Sequence, residues 1–154
     1  MTAPKFTGAY RTGTHDSARA FMVAGIPPER VEEISPQAQF ERWWAATLAT
    51  DPDGARRTPP VLRSPNGVLK DFAEIWAVGN TTYDAARIRA PTLLVVGEWD
   101  VTTPPAMALE LFEKLTNAAQ RRVVILSEGN HFFALEKNRM HLVHEVQGFL
   151  DEGH

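Results

Sequence analysis

Two apolar runs set the character of the second half of the chain. Thr92-Leu93-Leu94-Val95-Val96 is continuous and β-rich, as expected of a strand buried on both faces, and Arg122 to Leu126 repeats the pattern. Between them Met107, Leu111, Phe112 and Leu115 recur at helical spacing and predict an inward stripe, with Thr103 as N-cap and Pro104 at the first helical position. Asn138 to Leu150 predicts a last amphipathic helix with Met140, Val143, Val146 and Leu150 facing in. A strand-helix-strand of this length implies a parallel pair joined by a right-handed crossover. Two parallel strands alone leave both sheet edges open, so the pattern is that of part of a larger sheet.

The first half reads differently. Asp16 to Ala24, Pro27 to Ile34 and Pro36 to Thr50 each carry a helical pattern, with prolines at first-turn positions. Phe40, Trp43, Trp44, Thr47 and Leu48 make one broad apolar face. From Asp51 to Leu69 successive turn signals, Asp51-Pro52-Asp53-Gly54, Thr58-Pro59-Pro60 and Ser64-Pro65-Asn66-Gly67, predict a loop. A helix from about Lys70 to Val78 follows, ended by Gly79-Asn80 as a C-cap. The expected division is therefore a helical, cap-like segment over 1–82 and a β-α-β-α segment over 83–154.

Composition narrows the function classes. The 154 residues carry 44% apolar and 23% charged side chains with a net charge of −3. That balance offers no basic face for nucleic acid and no polybasic membrane anchor. No apolar run reaches the roughly 20 residues a bilayer requires, and Met1 to Tyr10 lacks the apolar core of a signal peptide. The expected location is cytoplasmic. The absence of cysteine excludes disulfides and thiolate chemistry. The five histidines are scattered; His141 and His144 share a helix face without a carboxylate pattern, so neither a metal nor another cofactor is expected.

The candidate chemistry lies just after each apolar run. Gly97-Glu98-Trp99-Asp100 ends the first on a carboxylate, and Ser127-Glu128-Gly129-Asn130-His131 ends the second on a loop with a histidine. In an open parallel sheet, functional groups gather at the carboxyl ends of the strands, so both side chains would emerge on one rim. A carboxylate that orients an imidazole is half of a nucleophilic machine. Each residue also has a plainer reading: Asp100 as a cap on the following helix, His131 as a core histidine beside Phe132 and Phe133. Glu98 competes as the acid, although strand alternation turns it from Asp100's side. No serine is flanked by glycines at plus and minus two positions; Ser64 is the one local hydroxyl to test as an unusual nucleophile. Trp43, Trp44, Trp76, Trp99 and Phe132 are candidates for lining an apolar pocket, against the commoner role of aromatic core.

At these residues the chain resembles the C-terminal part of the α/β-hydrolase superfamily, in particular its cap-bearing esterase and proline-iminopeptidase-like members. The resemblance is carried by Ile88 through Asp100 with Thr103-Pro104-Pro105, and by Glu128-Gly129-Asn130-His131 with the terminal helix, over roughly Tyr83 to Glu152. It implies a partial α/β-hydrolase fold, Asp100 as triad acid, His131 as triad base, and Ala18 to Asn80 as a cap. It also implies relatives that cleave a small apolar ester or amide through a serine-histidine-acid triad. The nucleophile elbow that such families carry upstream is missing, so the expectation is a truncated hydrolase, inactive alone. The alternative is a non-catalytic remnant that binds a ligand, a second copy or a complementing chain at the open sheet edge. An unrelated open α/β domain is weaker, since no glycine-rich dinucleotide or phosphate loop is present.

Overall fold

The computed structural model describes residues 8–153 and resolves mixed helices and strands into two compact units. The N-terminal stretch read above for a leader lies, through residue 7, outside the described residues, as does His154.

One unit comprises the chain up to Arg19 together with Glu41–Asp84. Its centre is an antiparallel pair, β1 (Tyr10–Thr14) against β2 (Val61–Pro65), with Tyr10 opposite Pro65 and Thr14 opposite Val61. The loop predicted over Asp51 to Leu69 is thus corrected: it holds β2 and a short helix α1 (Pro52–Ala55), and a longer helix α2 (Gly67–Glu74) begins before its end. Asp51 organises this stretch. Its carboxylate accepts the Gly54 N–H as the cap of α1, the Arg63 N–H at 2.9 Å and the Arg63 guanidinium at 2.6 Å. The Arg63 hydrogen bonds hold the Asp51 carboxyl well below the usual carboxylate range. After α2 a 3-10 turn, Trp76–Val78, ends on Gly79, whose left-handed backbone (φ 81°) makes it the C-cap expected of it.

The other unit comprises Ala20–Phe40 and Ala85 onward. Its sheet is the parallel pair β3 (Thr92–Gly97) and β4 (Arg121–Leu126), in register from Thr92 opposite Arg121 to Gly97 opposite Leu126. The crossover helix α3 (Pro105–Lys114) and the last helix α4 (Arg139–Asp151) pack on these strands. The helix over Pro27 to Ile34 is a 3-10 turn, Pro28–Arg30, running into Val31–Ile34. Two further helices, His15–Met22 and Gln37–Ala49, each run from one unit into the other. Ile34, Phe40 and Leu115 are among the most deeply buried side chains.

Two inward stripes need correction. Leu115, the C-cap of α3, is buried but Met107 within the helix is 46% exposed; in α4, Phe149 is buried while Met140, Val143, Val146 and Leu150 all face out. The helix turns Leu142, Glu145 and Phe149 inward instead. No helix among the described residues is long and apolar enough to cross a membrane.

Candidate active site

The parallel register brings the carboxyl ends of β3 and β4 to the same rim. Beyond the strands the two loops stay zipped: Glu98 N–H donates to the Leu126 carbonyl and Trp99 N–H to the Gly129 carbonyl, each at 2.8 Å. The approach is close enough to require glycine at Gly97, and packing within the histidine loop requires it at Gly129. A Cβ on Gly97 would stand 2.3 Å from the Gly129 carbonyl oxygen, and one on Gly129 would stand 1.6 Å from the Phe133 ring. Before Gly129, Glu128 adopts a left-handed backbone (φ 57°), and its carboxylate is clamped by the Arg30 guanidinium at 2.9 and 3.1 Å.

These loops bring Asp100 and His131 together, Nδ1 to Oδ2 at 3.0 Å, within hydrogen-bond reach. Asp100 is 6% exposed, and its two oxygens divide the work. Oδ1 accepts the Thr102 and Thr103 N–H groups at 2.9 and 2.8 Å, while Oδ2 accepts the Thr103 hydroxyl at 2.8 Å and the imidazole. Burial pushes this carboxyl up, but the hydrogen bonds from Thr103 and His131 outweigh burial and hold it below its ordinary value. An ionised Asp100 requires the proton of neutral His131 to sit on Nδ1, which leaves a lone pair on Nε2. The His131 side chain is 37% exposed, and no hydrogen-bond partner occupies Nε2 among the described residues. One edge of the imidazole is therefore fixed and the other open, the arrangement a general base needs.

Thr103 has a different place from the one its sequence position suggests. The N-cap of α3 is Pro104, with no side-chain cap hydrogen bond, and Thr103 instead spends its hydroxyl on Asp100, 3.3 Å from Nδ1 of His131. The capping reading of Asp100 is half fulfilled, since Oδ1 ties down the loop before α3 rather than the helix itself. Glu98 is exposed and accepts the Glu128 N–H at 3.2 Å, so it is not the carboxylate facing the histidine.

Of the candidate pocket residues, Trp99 and Phe132 lie in the unit that holds Asp100 and His131, whereas Trp43, Trp44 and Trp76 lie in the other. Phe132 packs edge-on to both His131 (5.6 Å between centroids) and Phe21 (5.1 Å), forming an aromatic wall that includes Phe21, which sequence reasoning missed. Trp44 is buried edge-on to His15, and Trp76 packs edge-on to Phe72. Ser64 lies in β2 opposite Arg11. Among the described residues no group of three or more histidine, aspartate or glutamate side chains is placed to hold a metal ion.

The model of the prolyl oligopeptidase family matches residues 65–153, more than half of the chain, and the match spans β3, β4, Asp100 and His131. No curated protein and no solved structure matches the chain.

Proposed function

The chain belongs to the prolyl oligopeptidase family of α/β-hydrolase fold, and from that premise we propose that Asp100 and His131 are the acid and base of a serine-hydrolase triad. The observation that carries the proposal is the 3.0 Å contact between a buried carboxylate and an imidazole whose other nitrogen is open. Asp100 would hold the Nδ1–H tautomer and stabilise the imidazolium; Nε2 would take the proton of a serine hydroxyl and return it to the leaving group. The bond cleaved by relatives that carry the nucleophile is an ester or amide, and the family's name favours a peptide amide. Trp99, Phe132 and Phe21 would form the apolar wall beside the reacting carbonyl.

This chain carries no Gly-x-Ser-x-Gly elbow. Without a nucleophile, and without the N–H that follows it in the oxyanion hole, the histidine has nothing to activate and no developing charge to meet. The purified chain should hydrolyse a short-chain aryl ester no faster than free imidazole, and His131→Ala should leave that rate unchanged. A faster rate that disappears in His131→Ala would overturn the inactivity and place a nucleophile in this chain, with Ser64 the first hydroxyl to replace. The Asp–His pair is tested separately by proton NMR. A low-field Nδ1–H resonance of His131 should be present and should be lost in Asp100→Asn; its persistence there would sink the triad reading.

A second reading, a partner-binding form of the fold, is favoured by two observations. The β3–β4 sheet has only two strands among the described residues, and the outer face of α4 exposes Met140, Val143, Val146 and Leu150. On that reading the partner is a second copy or a chain that adds strands to the sheet.

A further inference from the structure

Asn130 and Glu136 bracket the loop that carries His131, and each is only 1% exposed. Every polar group of Asn130 is engaged. Its Nδ2 donates to the carbonyls of Met22 and Ala24 at 2.7 and 3.1 Å, and its Oδ1 accepts the Phe132 N–H at 2.7 Å. Its carbonyl accepts the Phe133 N–H at 3.2 Å, and its own N–H points at the Glu136 carboxyl, 3.3 and 3.4 Å from the two oxygens. That N–H is the one hydrogen bond the Glu136 carboxyl has among the described residues.

Among the described residues no cation balances this buried carboxyl. Arg139 donates to the Glu136 main-chain carbonyl, Lys137 pairs with Glu33, and Arg30 is spent on Glu33 and Glu128. Asp100 and His131 are engaged with each other. A carboxylate so placed has lost its water and gained a single N–H, which favours the neutral acid. Burial accordingly pushes Glu136 up to about 7, with the Asn130 N–H opposing part of the rise.

We propose that Glu136 is the positioning residue of the His131 loop: as a neutral acid it closes the loop onto the Asn130 amide, and on giving its proton to solvent it turns outward and releases the loop. The functional meaning rests on the triad reading of Asp100 and His131, whereas the latch itself does not. A rise in pH through neutrality then loosens the loop that holds the imidazole.

The test uses the full chain, labelled for carboxyl carbon and amide NMR, as wild type and as Glu136→Gln, which keeps an acceptor for the Asn130 N–H but cannot ionise. The Glu136 carboxyl carbon should titrate near neutrality. Above neutrality the Asn130 amide should exchange roughly tenfold faster in the wild type than in Glu136→Gln, the factor that one pKa unit of differential stabilisation gives; at mildly acidic pH the two rates should coincide. Titration in the ordinary carboxylate range, or equal Asn130 exchange at both pH values, would overturn the proposal. If Glu136→Gln does not fold, the wild type decides alone: coincident midpoints for the Glu136 carbon and Asn130 exchange support the latch, and separate midpoints refute it. Failure of the triad reading is seen elsewhere, as an Nδ1–H resonance unchanged by Asp100→Asn.

Discussion

Two carboxyl groups, Asp100 in contact with His131 and Glu136 on its loop, answer burial in opposite ways, and the difference is their hydrogen-bond count. Asp100 receives four donors and stays ionised; Glu136 receives one and is pushed up to about 7. Their contributions to stability therefore carry opposite signs. The folded Asp100 value is depressed, so its stabilisation is present above the unfolded value and is lost as pH falls through the folded one. The folded Glu136 value is raised from 4.5, so its stabilisation is complete below 4.5 and is lost as pH rises toward about 7. His15, raised by its Glu41 and Asp16 hydrogen bonds, adds a decline with the same sign at higher pH, from 6.5 upward. Thermal unfolding should show the wild type losing stability between mildly acidic and neutral pH. Glu136→Gln should recover on the order of 2 kcal/mol of that loss once solvent screening is allowed for. Parallel stability curves for the two proteins would show that the Glu136 carboxyl is not protonated in the folded state.

At the scale of elements, the histidine loop depends on side chains that are missing as much as on those present. A methyl on Gly129 would collide with the Phe133 ring, itself buried and unable to step aside, so Gly129→Ala should cost about 1–3 kcal/mol in chemical denaturation. Gly148 in α4 has open space around its Cβ position, and Gly148→Ala should stabilise by about 0.5–1 kcal/mol through helix propensity alone. Equal effects of the two alanines would contradict the packing argument. The same scale explains what was legible in the sequence. β3 and β4 were, because both are written as unbroken apolar runs, although Ile125 on β4 is exposed and not buried as in a strand covered on both faces, and with them came the rim that holds Asp100 and His131. β1 and β2 were not: Tyr10-Arg11-Thr12-Gly13-Thr14 is largely exposed and polar, and its partner arrives some fifty residues later between prolines, so neither periodicity nor a tight turn announces the pair. Glu136 and Asn130 were equally hidden, since nothing local says that a glutamate following Phe132-Phe133-Ala134-Leu135 turns inward rather than to solvent. Thr103 was seen but misassigned, because a threonine before Pro-Pro satisfies the capping pattern whether its hydroxyl turns to the helix or to a neighbouring carboxylate.

The inverted face of α4 belongs to the scale of the whole molecule. Helical periodicity finds the apolar stripe correctly, but burial of that stripe within the same chain is an added assumption, and here Met140, Val143, Val146 and Leu150 stand in solvent at 47%, 48%, 38% and 65% exposure. Ile125 on β4 is exposed at 46%, and Met107 and Leu109 on α3 at 46% and 44%. Single exposed apolar residues need no explanation, but a continuous stripe on one helix beside a parallel sheet that has two strands among the described residues does. Parallel sheets are ordinarily covered on both faces, and an edge strand left open is a template for another chain. The partner-binding reading therefore predicts association: light scattering across a dilution series should show a mass above that of one chain that falls on dilution. Replacing Val143 and Leu150 together by glutamate should leave circular dichroism and the His131 Nδ1–H resonance unchanged while abolishing the concentration dependence, because both side chains point away from the packed face. A wild type that remains one chain at every concentration would remove the second copy as the partner. The open sheet edge would then be the place to seek a chain that supplies further strands and, on the triad reading of Asp100 and His131, a serine to complete it.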